Sequence, residues 1–161
     1  MRRKPPAAAA LPRAAWRTTI LVRFAHCDPA GIVYYARFFD MMNGAIEDWF
    51  SQSLGLDYHA FIGPRRIGLG YAKADADFFA PAMMGDRLTF AVLIERIGGA
   101  SVSLDLHAHR GTDPILSARL VTVTTSLIEH RSIPLPDDLR AALVGAAAWT
   151  RGSGRHDRRV S

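Results

Sequence analysis

The sequence predicts an α+β domain, one long helix laid on a single antiparallel β-sheet. Three observations carry this. An apolar arc near residues 35–53 is too wide for the stripe of an ordinary surface helix. Four strand-like segments follow it. The turns between those strands are mostly too short for anything but antiparallel pairing. The chain has 161 residues, 49% hydrophobic and 22% charged, with Cys27 its single cysteine. That suits one soluble core, needs no disulfide framework, and excludes a zinc site built on several thiolates.

The elements follow in order. Residues 17–25 (RTTILVRFA) are β-branched and apolar and read as a strand. A turn-rich stretch runs from His26 to Gly31. The helix then spans about Tyr35 to Ser53. Wound at about 100° per residue, Phe38, Phe39, Met41, Met42, Ala45, Ile46, Trp49 and Phe50 fall in one half of the wheel. Asp40, Asn43, Gly44, Glu47, Asp48 and Ser51 fall in the other. Such an arc asks for a surface that curves around it, which a twisted sheet supplies.

Residues 66–79 supply a strand whose alternation groups Tyr71, Lys73, Asp75 and Asp77 on one polar face. Residues 86–97 form the next strand, and Gly98-Gly99 turns tightly into 100–110. Gly111 to Pro114 turns again into a strand over 115–130, which Pro134 and Pro136 bring to an end. Residues 137–146 read as a short helix, with Asp137 or Asp138 near its start. The spare sheet face and the two sheet edges need cover, so a homo-oligomer is expected.

Charge is unevenly distributed. The formal net charge is +5, but residues 1–16 hold four basic residues and no acid. Residues 147–161 hold four basic residues and one acid, leaving 12 basic and 14 acidic residues between. The basic character belongs to the ends, and the body is slightly acidic. A nucleic-acid-binding domain carries its basic face on the folded part, so that class is excluded. The domain is expected over 17–146, with disordered basic extensions over 1–16 and 147–161. Prolines and Arg13 interrupt the Ala-rich start, which argues against an export signal and for a cytoplasmic protein. No run approaches the roughly 18 apolar residues of a membrane span.

The chemistry concentrates in His26-Cys27-Asp28-Pro29-Ala30-Gly31-Ile32-Val33-Tyr34-Tyr35. Asp-Pro-x-Gly reads as a type I turn in which Asp28 accepts backbone hydrogen bonds. It also reads as a reactive carboxylate placed just before a helix N-terminus. There, free N–H groups favour developing negative charge. A carbonyl held against those groups would be polarised as in an oxyanion hole, and a carboxylate beside it would drive acyl transfer to water. Both readings stand at this point. His107 and His109 share a strand face but offer too few ligands for a metal. Cys27 reads as a small buried hydrophobe.

Asp28-Pro29-Ala30-Gly31-Ile32-Val33-Tyr34-Tyr35, followed by Ala36-Arg37-Phe38-Phe39, resembles the signature of hotdog-fold acyl-CoA thioesterases of the 4-hydroxybenzoyl-CoA thioesterase family. Phe79 to Leu88, Gly98 to Val102 and Ile133 to Pro136 fit the same pattern in order, so the resemblance covers about residues 17–145. It implies the hotdog fold, a long helix wrapped by an antiparallel sheet. It implies that Asp28 is the catalytic carboxylate and that the Tyr35 backbone N–H binds the thioester oxygen. Gly31 would keep the loop backbone close to the acyl group, and Tyr34 would wall its pocket. Where some members cluster basic residues for the coenzyme A phosphates, this chain offers only Arg96. Arg65, Arg66 and Arg131 are other basic candidates. Asn43 stands where an aromatic-acyl enzyme would carry an acid.

The implied activity is hydrolysis of an acyl-CoA, aromatic such as 4-hydroxybenzoyl-CoA or short to medium aliphatic, to free acid and coenzyme A. No cofactor or metal is expected, coenzyme A being part of the substrate. The implied assembly is a dimer or a dimer of dimers with the site between subunits. Two alternatives belong to other classes. One is an acyl-CoA hydratase or dehydratase with His26 as base. The other is a non-catalytic acyl-CoA-binding module.

Overall fold

The computed structural model describes residues 4–153, with side chains described to residue 148. Its elements are β1 (Trp16–Leu21), α1 (Tyr35–Gln52), α2 (Tyr58–Ile62), β2 (Ile67–Phe78), β3 (Arg87–Ile97), β4 (Ser101–Arg110), β5 (Asp113–Ser126), β6 (Arg131–Ser132) and α3 (Asp137–Ser153). All strand pairs are antiparallel, in the order β1-β3-β4-β5-β2, with β6 beside β5. This is the α+β layer the sequence predicts.

α1 buries Phe38, Met41, Met42, Ala45, Ile46, Trp49 and Phe50, leaving Phe39 half-buried. These side chains meet Leu88, Phe90, Leu104, Leu106 and Leu120 of the sheet, which expose 2% of their surface or less. Each such burial contributes about 1.5–3 kcal/mol. The ring of Phe50 meets Phe61 of α2 edge-on at 5.0 Å and Tyr58 at 5.4 Å. α2 is short and went unassigned in the sequence. It starts where the Asp57 carboxylate accepts the Ala60 N–H at 3.1 Å.

Three elements differ from expectation for visible reasons. The strand read over 17–25 ends at Leu21, and Phe24–His26 coil into a 3-10 turn. The strand read over 115–130 ends at Ser126, and the chain reverses through His130 at φ +53° to form β6. The register of β2 shifts between Tyr71 and Lys73. A bulge changes which face the following residues occupy, so the expected common face of Tyr71, Lys73, Asp75 and Asp77 does not form. The Tyr71 hydroxyl reaches α1, donating to Asn43 Oδ1 at 3.1 Å. Ala76 and Phe78 pack inward, whereas Lys73 pairs with Asp75.

The chain ends also depart from expectation. Residues 1–16 are expected to lack order, yet from residue 4 the chain follows a set course. Ala8–Ala10 form a 3-10 turn, and Ala15 is buried. His109 Nε2 donates to the Pro6 carbonyl at 2.9 Å. His107, on the same face, pairs with the Ser117 hydroxyl at 2.8 Å. The last helix runs past residue 146 to Ser153. The rest of the expected C-terminal extension, 154–161, lies outside the described residues.

Candidate active site

The loop between β1 and α1 is held almost entirely by main-chain bonds. The Gly31 N–H donates to the Asp28 carbonyl at 2.9 Å, and the Asp28 N–H to the Ile32 carbonyl at 3.0 Å. Gly31 closes this turn at φ +79°, a conformation that costs other residues about 1–2 kcal/mol. The Tyr34 N–H donates to His26, and the Val33 N–H to Ala82 in the β2–β3 connection, at 2.9 and 2.8 Å. Ile32 bridges to Met83. The Asp28 carboxylate accepts the Ala30 N–H at 2.8 Å, so the turn reading of this aspartate is geometrically real. Among the described residues its second oxygen accepts no hydrogen bond. Asp28 is half-buried.

α1 starts immediately after this loop. Its N-cap, Tyr34, supplies no side-chain hydrogen bond, and its first turn carries no acid. The amides of Tyr35 and Ala36 therefore stand at the positive end of the helix without an intrahelical acceptor. Beside them opens a groove of about 400 Å³, lined by Ile32, Val33, Tyr35 and Phe38 on one side and by Phe78 to Pro81 on the other. This falls in the size range of small-molecule sites. The rings of Phe38 and Phe78 meet across it at 5.4 Å.

The structure thus brings Tyr35 and the groove together. Asp28 stands just outside the lining, tied backbone to backbone to Ile32, which lines it. Gly31 forms the bend between them. The expected pocket wall Tyr34 is not in the lining of this single chain; its neighbour Tyr35 is, with the Tyr34 ring 5.0 Å behind. The sequence reading missed Phe38, Phe78 and Phe79 as site residues. The signal available was an aromatic pair ending β2 just before Ala80-Pro81.

Other candidates are placed elsewhere. His26 Nδ1 accepts the Arg23 N–H at 2.9 Å, so the neutral ring carries its proton on Nε2 and offers no free base there. The Cys27 thiol faces the Arg23 carbonyl at 3.6 Å. Asn43 donates to Glu47 Oε1 at 2.9 Å and accepts from Tyr71, whose hydroxyl pKa burial pushes up to about 12. Arg96 is exposed near the far end of β3, nine residues beyond Arg87 and so about 30 Å along the strand. Within one chain it does not meet Asp28. Arg65 is held bidentately by Asp138 at 2.7 and 3.2 Å and lies over the Phe61 ring. Arg131 pairs with Glu129. Arg66 stands exposed at φ +53°.

Comparison with known proteins agrees with this geometry. Residues 22–143 match the thioesterase-like superfamily. A 1,4-dihydroxy-2-naphthoyl-CoA hydrolase of Synechocystis sp. is 33% identical over 124 residues, covering 76% of this chain and 89% of that protein. The crystal structure of a 1,4-dihydroxy-2-naphthoyl-CoA thioesterase from Synechocystis superposes with a TM-score of 0.74 at 29% identity, covering 81% of this chain and 96% of that one. A gentisyl-coenzyme A thioesterase, 23% identical, shares the fold with a TM-score of 0.72 over 80% of this chain and 99% of its own. The helix wrapped by an antiparallel sheet is the hotdog fold, and the chain belongs to the thioesterase-like superfamily.

Proposed function

We propose that the protein hydrolyses acyl-CoA thioesters bearing an aromatic acyl group. The observation that carries this is the aromatic groove opening beside the uncapped first turn of α1. The acyl ring packs against the Phe38–Phe78 pair, and the thioester oxygen accepts the Tyr35 N–H. Charge that builds on that oxygen is stabilised by a donor already in place, at the positive helix end. Asp28 serves as general base or nucleophile. As base it takes a proton from the attacking water and returns it to the departing coenzyme A thiolate. As nucleophile it attacks the thioester carbon, the C–S bond breaks and coenzyme A leaves as thiolate; water then opens the resulting anhydride to free acid and the Asp28 carboxylate, and the proton it releases neutralises the thiolate. Two relatives named as 1,4-dihydroxy-2-naphthoyl-CoA hydrolases support a bicyclic or substituted aromatic acyl group.

The test is thiol release across aromatic and aliphatic acyl-CoAs of graded size. Turnover highest on aromatic thioesters and at least about 100-fold lower in Asp28→Asn is the expected outcome. Hydration of crotonyl-CoA without thiol release, or saturable binding with no turnover, would replace this reading with another.

We also propose a homo-oligomer, a dimer or a dimer of dimers, with the site at the subunit interface. Supporting it, β2 lies at the edge of the sheet, and its residues 70–74 are exposed. Light scattering on the eluted protein gives the mass directly, and a monomer at micromolar concentration refutes the proposal.

A further inference from the structure

We infer that Arg23 and Arg87, with the ring of Phe24, form the docking site for the phosphorylated adenosine end of the coenzyme A thioester. The inference rests on the acyl-CoA reading above and deepens it.

Of the eleven arginines over 17–146, five face a carboxylate, and Arg17 and Arg140 donate to main-chain carbonyls. Arg37, Arg65, Arg110, Arg119 and Arg131 each face a carboxylate. Among the described residues Arg23 and Arg87 face none, and both are exposed. They also stand close together. Arg87 is opposite Leu21 in the β1–β3 register. Val22 is bonded to the same strand entrance, through its N–H to Asp86 and its carbonyl to the Gly85 N–H, both at 2.8 Å. Arg23 is the next residue. Two guanidinium groups at diagonal positions of the ladder, Arg23 two residues beyond the Leu21 that faces Arg87, are each long and flexible enough to converge on one diphosphate. The adjoining Asp86 does not cancel them: its carboxylate is bound by Arg110 and by the Met83 N–H, each at 2.8 Å.

Phe24 adds the second half of nucleotide chemistry. It is 82% exposed, the highest value among the large apolar side chains of the described residues. An aromatic face flanked by unpaired arginines is a base-stacking and phosphate-binding pair. The position adjoins the reacting loop. Phe24–His26 is the turn that leads directly into Cys27 and Asp28, and the His26 carbonyl accepts the Tyr34 N–H at the helix start. A pantetheine arm leaving the groove at Tyr35 passes along this turn towards Arg23. Arg66 and Arg96 also lack a counter-ion among the described residues, but Arg66 stands in the α2–β2 connection and Arg96 at the opposite end of β3.

The test compares two thioesters of one aromatic acid, acyl-CoA and acyl-pantetheine, which differ only in the nucleotide. In Arg23→Ala/Arg87→Ala the ratio of kcat/KM for acyl-CoA over acyl-pantetheine falls at least about tenfold, through KM, as loss of charge-assisted phosphate contacts requires. Phe24→Ala lowers it about threefold or more. Raising salt erases the wild-type preference for acyl-CoA. An unaltered ratio overturns the assignment and leaves the hydrolase reading standing. If the wild type cleaves neither thioester, the hydrolase reading fails instead. Calorimetry with coenzyme A then decides the arginines, equal affinity in wild type and double variant overturning them. Faster cleavage of acyl groups on an acidic carrier protein than on coenzyme A would also overturn the nucleotide assignment, giving the basic pair to a protein partner.

Discussion

Asp28 both builds its loop and, in the proposed reaction, performs the chemistry, and two substitutions separate these tasks. Asp28→Asn keeps an oxygen to accept the Ala30 N–H, now 2.8 Å from the carboxylate. It removes only the charge. Asp28→Ala removes the charge and the bond together. Ala30 is exposed, so water replaces the lost acceptor and the cost sits low in the range for a hydrogen bond, about 0.5–1 kcal/mol. For a domain of this size that is about 1–4 °C in the melting temperature. The main-chain bonds at Ile32, Val33 and Tyr34 survive either change, so neither unfolds the loop. Both variants therefore lose at least about 100-fold in turnover, while only Asp28→Ala melts measurably earlier. The assays are thiol release and a calorimetric melt on the same preparations. Near-wild-type turnover by Asp28→Asn beside a large loss in Asp28→Ala would refute the reasoning, because activity would then follow the turn and not the charge.

Other expectations concern the groove and the pH limits. Phe78→Leu removes the ring facing Phe38, worth about 0.5–1.5 kcal/mol. It should lower kcat/KM for benzoyl-CoA relative to hexanoyl-CoA about two- to tenfold. The Met83 N–H, and then Arg110, hold the Asp86 carboxyl below its ordinary value of 3.8. A depressed folded-state pKa stabilises above that value, and the contribution is lost as pH falls below about 4. Asp86→Asn should accordingly flatten the acid limb of a denaturation-versus-pH curve. Burial, with Tyr58 and Glu47 adding to it, raises Tyr71 from 10.0 to about 12. That raised value gives stability below pH 10 that disappears between pH 10 and about 12, and Tyr71→Phe should remove the alkaline decline while phenolate absorbance reports the titration.

The long helix was legible because its apolar period runs without interruption from Phe38 to Phe50, nearly four turns, and α1 begins at Tyr35 as read. The strand alternation was legible for β4, where Val102, Leu104, Leu106 and Ala108 are buried. It failed in β2, where one extra residue near Ala72 reverses the faces. A bulge leaves no composition signal, since Gly70, Tyr71 and Ala72 read equally well in either register. α2 was hidden by its five-residue length, too short for a period to show. The turn of the site was legible from Asp28, Pro29 and Gly31 and from the family signature beside them. The groove was not, because its second wall, Phe78 to Pro81, is distant in sequence from Tyr35. The pairing of Val33 with Ala82 and of Ile32 with Met83 brings the two together.

That lashing is made of peptide groups alone. No side chain takes part in the bonds from Val33 to Ala82, Tyr34 to His26 or Asp28 to Ile32. Residues around the mouth are consequently free to drift in identity while the reacting atoms keep their places. A scaffold stitched this way can retune what it accepts, one wall at a time, without rebuilding the apparatus that cuts.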